Sequence, residues 1–192
     1  MQTLISDYRR LCPVVLPYAA RQKYMHSFNL ANPKMADGFE DYLEPVIALC
    51  ASAGAVKGMA HMTVDEKIVE AGMSQRRPKP HVDGCYVPAI GNWNHSGWTH
   101  YCNNISAKAV GRMPVIVASS FSGCRAWRGH FEASPASDGD LSDLLPQLGD
   151  GEVLPANVGY LLSADCVHES MILERSTART FLRIALPVEF DF

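Results

Sequence analysis

Two short stretches hold the residue types that metal chemistry needs. His81-Val82-Asp83 sets an imidazole and a carboxylate two residues apart, and alternation along a strand turns both to one face. His168 begins a second such stretch, His168-Glu169-Ser170, and Arg179 follows eleven residues later. Two imidazoles and one carboxylate on one side of a divalent ion leave positions open for reactants, as in non-haem iron sites. Spacing alone does not single out His81 and Asp83. Seven histidines and twenty acidic residues in 192 positions give about 0.7 His-x-acid matches by chance (7 × 20/192), and His130-Phe131-Glu132 is a second one. Context separates the two.

The elements that must position these residues change in texture along the chain. Residues 37–53, "DGFEDYLEPVIALCASA", carry the clearest helical signal. Phe39, Tyr42, Leu43, Val46, Ile47 and Cys50 fall at the spacing of one apolar face. Asp37 and Glu40 resemble a capping box, and Pro45 predicts either a kink or a later start. Residues 65–72, "DEKIVEAG", fit a short helix or a strand equally. From about residue 80 onward, short apolar runs alternate with Gly, Pro, Asn and Ser clusters: "CYVPAI", "WTHYC", "MPVIVASS", "CRAWRGHFEA", "VGYLLS" and "RTFLRIALPV". That pattern predicts many short antiparallel strands in a sandwich or barrel. The acidic stretch 134–152 reads as a long loop with one helical turn at 141–148. The expected plan is helices first, then an all-β unit.

With its Gly and its spacing, the late stretch "LPANVGYLLSADCVHES" (154–170) completes an ordered pattern. Gly159 precedes an apolar strand, His168 follows a polar turn, and Arg179 heads the next strand. Together with His81-Val82-Asp83 this resembles the double-stranded β-helix core of the iron(II)- and 2-oxoglutarate-dependent oxygenases, over residues 76–187. A compact chain with a short N-terminal helical part is closest to the prolyl-hydroxylase-like branch. The resemblance implies one domain, 1–192, with a helical support region at 1–75 and a jelly-roll, cupin-like barrel of antiparallel strands at 76–192. It implies that His81, Asp83 and His168 hold Fe(II), with 2-oxoglutarate as cosubstrate and dioxygen as oxidant. Succinate and carbon dioxide are then the coproducts of substrate hydroxylation.

The far carboxylate of 2-oxoglutarate requires a fixed cation, and a guanidinium offers a two-pronged, permanently charged partner. Arg179 is the expected anchor, with Arg183 and Arg175 as rivals; 179 and 183 share one strand face. Some subfamilies carry Arg-x-Ser here, whereas this chain has Arg179-Thr180-Phe181. Thr180 has the wrong parity to share the face of Arg179, so the second cosubstrate contact must come from elsewhere; the resemblance implies Tyr101, where family members often have a Tyr on the strand after the His-x-Asp turn. His95 and His100, among Trp93, Asn94 and Trp98, fit either a substrate mouth or a Trp-rich hairpin packed on the core. Arg125 and Arg128 flank Trp127 as candidates for a cation–π stack or a solvated face.

Bulk properties narrow the partners. The formal net charge of −3 argues against a generally basic nucleic-acid-binding surface, although Arg76, Arg77 and Lys79 form a local basic patch. The six cysteines are scattered without a Cys-x-x-Cys pair, which argues against a zinc ribbon and for reduced thiols in the cytoplasm. No stretch approaches the about 20 apolar residues of a membrane helix. The substrate stays open among a protein side chain, a nucleobase and a small molecule. Two other classes compete with the oxygenase: a cupin-like metal enzyme without 2-oxoglutarate, and a non-catalytic jelly-roll binding module. Cupins favour His-x-His, which this chain lacks. The binding module leaves Arg179 without a role.

Overall fold

The computed structural model describes residues 2–83, 113–136, 139–187 and 190–192. Among them are eleven strands, one α-helix and two 3-10 turns: β1 (Gln2–Ser6), β2 (Tyr8–Pro13), β3 (Gln22–Asn29), α1 (Leu43–Ala53), β4 (Met59–Val69), β5 (Val115–Ser119), β6 (Cys124–Trp127), β7 (Gly129–Ala133), β8 (Glu152–Leu154), β9 (Val158–Leu162), β10 (Val167–Ser170) and β11 (Thr177–Ala185). A six-stranded sheet runs β2-β9-β5-β11-β4-β3, a three-stranded sheet runs β10-β6-β8, and β1 pairs with β7. All these pairings are antiparallel. Val117, Tyr160 and Phe181 of the large sheet pack in one cluster with Ala126 and Leu154 of the small one. The two sheets therefore face each other across a shared core, and the chain is mainly β.

The large sheet is covered on its other face by α1. Val46 and Leu49 of the helix pack in one cluster with Met62, Ile116, Leu161, Leu182 and Ile184. Gly159 of β9 makes the approach close, because a Cβ there would collide with the Leu49 side chain. Strands covered on both faces read as continuous buried runs. Val115–Ser119 and Val158–Leu162 are buried throughout, as is Arg179–Ala185 of β11. Alternation then sorts the residues. In β4 and β11 the even-numbered Met62, Val64, Leu182 and Ile184 face the helix side. The odd-numbered His61, Thr63, Asp65, Arg179 and Arg183 face the other sheet.

Several expectations change. The helix starts at Leu43 rather than Asp37, after a 3-10 turn at Glu40–Tyr42. Pro45 is the reason, since a residue without an N–H is tolerated only in a helix's first turn. The helix ends at Gly54, whose left-handed backbone (φ 82°) closes the last turn onto Ala51 and Cys50. Residues 1–75 carry four strands as well as this helix, so they are not a helical support region. Strand β4 was only half legible because its inner face is polar, so the apolar–polar alternation of a strand is blurred. Strand β3 hid because it is an exposed edge with a register shift between Lys23 and His26 and a positive φ of 53° at Met25. The ambiguous stretch from Asp65 is strand up to Val69. The helical turn expected within 141–148 is present at Ser142–Leu144.

No helix among the described residues is long and apolar enough to cross a membrane.

The helix–sheet contact yields a paired test. Leu49 is fully buried, whereas Ile47 on the same helix is 46% exposed. Leu49→Ala lowers the unfolding free energy by about 2–5 kcal/mol, and Ile47→Ala changes it by less than about 0.5 kcal/mol. Urea unfolding of both variants measures the difference.

Candidate metal centre

Backbone pairing assembles the site before any side chain contributes. His81 and His168 exchange both hydrogen bonds of an antiparallel bridge: His81 N–H to the His168 carbonyl at 2.9 Å, and the reverse at 3.0 Å. On its other side the segment is held by Val82 N–H to Gly139 O (3.1 Å) and Leu141 N–H to Pro80 O (2.9 Å). Residues 87 positions apart in sequence thus stand side by side, with ring centroids 4.4 Å apart. Alternation then places Asp83 on the face of His81.

The ring nitrogens are assigned by their neighbours. His81 Nδ1 lies 2.7 Å from the Lys79 carbonyl, and His168 Nδ1 lies 2.9 Å from the Cys166 carbonyl. A carbonyl only accepts, so both Nδ1 atoms carry the proton and donate it. That orients both rings and turns each Nε2 toward the shared point, the usual arrangement behind metal-binding histidines. His81 Nε2 is 3.9 Å from Asp83 Oδ1, and His168 Nε2 is 3.8 Å from Asp83 Oδ2. One ligand atom from each of the three residues lies within 4.8 Å of the others. The two pairs end on different oxygens of Asp83, and both are shorter than the about 4.2 Å between two ligands on opposite sides of one ion.

The three groups hold different charges, set by burial and by one another. Burial, reinforced by the positive charge of His168, depresses the pKa of His81 and keeps it neutral. Burial would also strip the proton from His168, but Asp83 beside it outweighs that and raises the pKa. Burial opposes the ionisation of Asp83. The Arg183 guanidinium and then the charge on His168 overcome this and hold the carboxyl well below its usual range. Arg183, only 4% exposed, donates from one Nη to Asp83 Oδ2 at 2.8 Å. This contact with the carboxylate is one that sequence reasoning did not anticipate for Arg183. The parity shared with Arg179 was the only sequence signal for it.

Arg179 occupies the same inner face of β11 and is fully buried. Its Nε donates to Ser119 Oγ at 2.8 Å and Nη2 donates to Cys124 Sγ at 3.2 Å. Its Nη1 has no hydrogen-bond partner among the described residues. Gly123 leaves the room for it: a Cβ at that position would lie 2.8 Å from Nη1. Cys124 and Ala126 share one face of β6, and Ala126 is the register partner of His168. The guanidinium therefore rests about 7 Å along the strand from the level of His168, at about 3.3 Å per residue.

The other expected site residues separate. Tyr101, His95, His100, Trp93 and Trp98 lie outside the described residues. Thr180 turns to the opposite face, as its parity predicts, and its hydroxyl donates to the Pro17 carbonyl at 2.7 Å. Arg175 is exposed in the turn before β11. His130 and Glu132 are exposed on β7, away from the triad, with Glu132 accepting from the Thr3 hydroxyl. Arg128 stacks on Tyr8 at 4.0 Å rather than on Trp127, and Arg125 pairs with Glu169 at 3.3 Å.

A divalent ion must displace the proton that Asp83 holds on His168. Binding of Mn(II) or Zn(II) therefore releases about one proton per ion and tightens as the pH rises. Titration in buffers of differing ionisation enthalpy measures the release. Asp83→Ala and His168→Ala each weaken binding by more than about 100-fold, beyond the loss typical of an outer-shell change. Unchanged affinity in both variants rules out the centre.

Compared with known proteins, the chain matches no family model, no curated protein and no solved structure.

Proposed function

We propose that the protein is an iron(II)- and 2-oxoglutarate-dependent dioxygenase built on a double-stranded β-helix. His81, Asp83 and His168 would hold the metal, and Arg179 would bind the far carboxylate of the cosubstrate. The observation that carries this reading is the unpartnered Nη1 of the fully buried Arg179. A buried guanidinium with an unused donor is costly unless something regularly completes it. A carboxylate does so with two parallel N–H···O bonds.

Iron fits the donor set, since two neutral imidazoles and a carboxylate suit it and leave positions open for a chelating keto acid. When bound, the metal with 2-oxoglutarate and dioxygen supplies the oxidising power for hydroxylation, with succinate and carbon dioxide released.

The chain's own contribution is placement. The Lys79 and Cys166 carbonyls fix the imidazoles. Arg183 donates to Asp83 Oδ2, while Oδ1 lies 3.9 Å from His81 Nε2. Ser119 and Cys124 hold the Arg179 fork in one orientation while its remaining donors face the cosubstrate.

Purified anaerobically and loaded with iron, the protein converts 2-oxoglutarate to succinate. Arg179→Ala raises the apparent KM for 2-oxoglutarate by roughly 30- to several-thousand-fold, the loss of one charge-assisted pair in a dry site, and leaves metal affinity nearly intact. Arg179→Lys restores only part, because the fork is gone. Metal binding without succinate formation would instead favour a cupin-like enzyme.

A further inference from the structure

Near the proposed centre, the chain holds one of its own cations in an aromatic and anionic setting. Arg76 lies with its guanidinium carbon 5.8 Å from the Tyr24 ring centroid and 5.7 Å from that of Phe181. One of its Nη atoms is 3.8 Å from Asp65 Oδ2. These are the parts of a cation-recognition cage: two π-faces at the outer range of a cation–π contact, and a carboxylate behind them.

The fit of Arg76 is incomplete. Asp65 is fully buried, and Gln22 donates to its Oδ1 at 2.7 Å. Its Oδ2 has no hydrogen-bond donor among the described residues, although Arg76 and Lys67 (Nζ at 3.4 Å) both approach it. A buried carboxylate oxygen with nearby cations but no N–H bond is a poor final state for a stability element. Lys67 is 40% exposed and Arg76 31%, so each has a path into water once another cation takes its place beside the buried carboxylate. Burial and then the charge of Asp65 raise the pKa of the Tyr24 hydroxyl against the opposing effect of Arg76.

Position ties the cage to the metal centre. Asp65 is the register partner of Phe181, and Phe181 lies between Arg179 and Arg183 on the inner face of β11. Arg183 in turn touches the metal-side carboxylate, Asp83. Arg76 is bound to β10 by its backbone N–H to Ser170 Oγ at 3.2 Å, two residues beyond His168.

We propose that Tyr24, Asp65 and Phe181 form the substrate subsite for a guanidinium group, and that Arg76 occupies it until substrate displaces it. The inference rests on the oxygenase reading for what happens to the bound group; the binding itself needs no metal. Arginine, free or as a peptide side chain, is the class of substrate that this chemistry selects.

Calorimetry of the metal-free protein with L-arginine, and with uncharged L-citrulline as the control, tests this. Wild type binds L-arginine and not L-citrulline. Arg76→Ala removes the internal competitor and tightens binding by about 10-fold. Tyr24→Ala, at a half-exposed position that leaves the fold intact, weakens it roughly 2- to 30-fold. Asp65→Asn abolishes it; if that variant does not fold, Arg76→Ala and Tyr24→Ala decide. Equal binding of L-citrulline, or no gain in Arg76→Ala, overturns the subsite. Succinate formation measured separately distinguishes this failure from failure of the oxygenase reading: either can be lost while the other stands.

Discussion

Everything in the site depends on β11 being buried on both faces. A strand in that position has no solvent side on which to dispose of polar residues. Its alternation must therefore separate an apolar set from a set that is polar and internally partnered. Leu182 and Ile184 pack beneath α1, while Arg179 and Arg183 turn into the space between the sheets. Two guanidiniums inside a core are tolerable only if each has an assigned partner. Arg183 has the Asp83 carboxylate, and Arg179 has Ser119 and Cys124 with capacity to spare.

The neighbouring strand β4 repeats this division with acids. Asp65 and Glu66 are adjacent and both nearly inaccessible, yet they serve opposite faces. Glu66 stabilises the helix side. It accepts from the Tyr42 hydroxyl at 2.6 Å and from Arg21 Nε at 3.3 Å, and also from the Ala19 backbone N–H. Arg21 also pairs with Asp41 and lies over the Phe39 ring at 4.7 Å. This network anchors the 17–21 segment and the approach to α1 against the outer face of the sheet. Asp65 is left to the interior. Its incomplete hydrogen bonding there contrasts with the environment of Glu66, whose oxygens accept from Tyr42, Arg21 and Ala19.

The metal-side groups show the same economy of local rules. The imidazole orientations come from carbonyls two residues upstream of each histidine, Lys79 for His81 and Cys166 for His168. Such short-range bonds preorganise the rings independently of any ion, so less ordering remains when one binds. The reciprocal bridge between the two backbones supplies the long-range part.

The sequence by itself determined the candidate residues and their parity. His81 and Asp83 had to share a face, Thr180 had to leave that of Arg179, and the short runs after about residue 80 read as strands, which those among the described residues from 113 onward are. These follow from the period of two in an extended chain, which needs no tertiary information. Tertiary structure decided what burial changes. It made strands of Gln22–Asn29 and Met59–Val69, where an irregular edge and a polar inner face erase the alternation signal. It also brought His168 to His81 across 87 residues, since strand pairing at that separation depends on the whole sheet. And it set Arg183 against Asp83 and Arg179 against Ser119 and Cys124, because two residues of equal parity differ only in what the fold places opposite them.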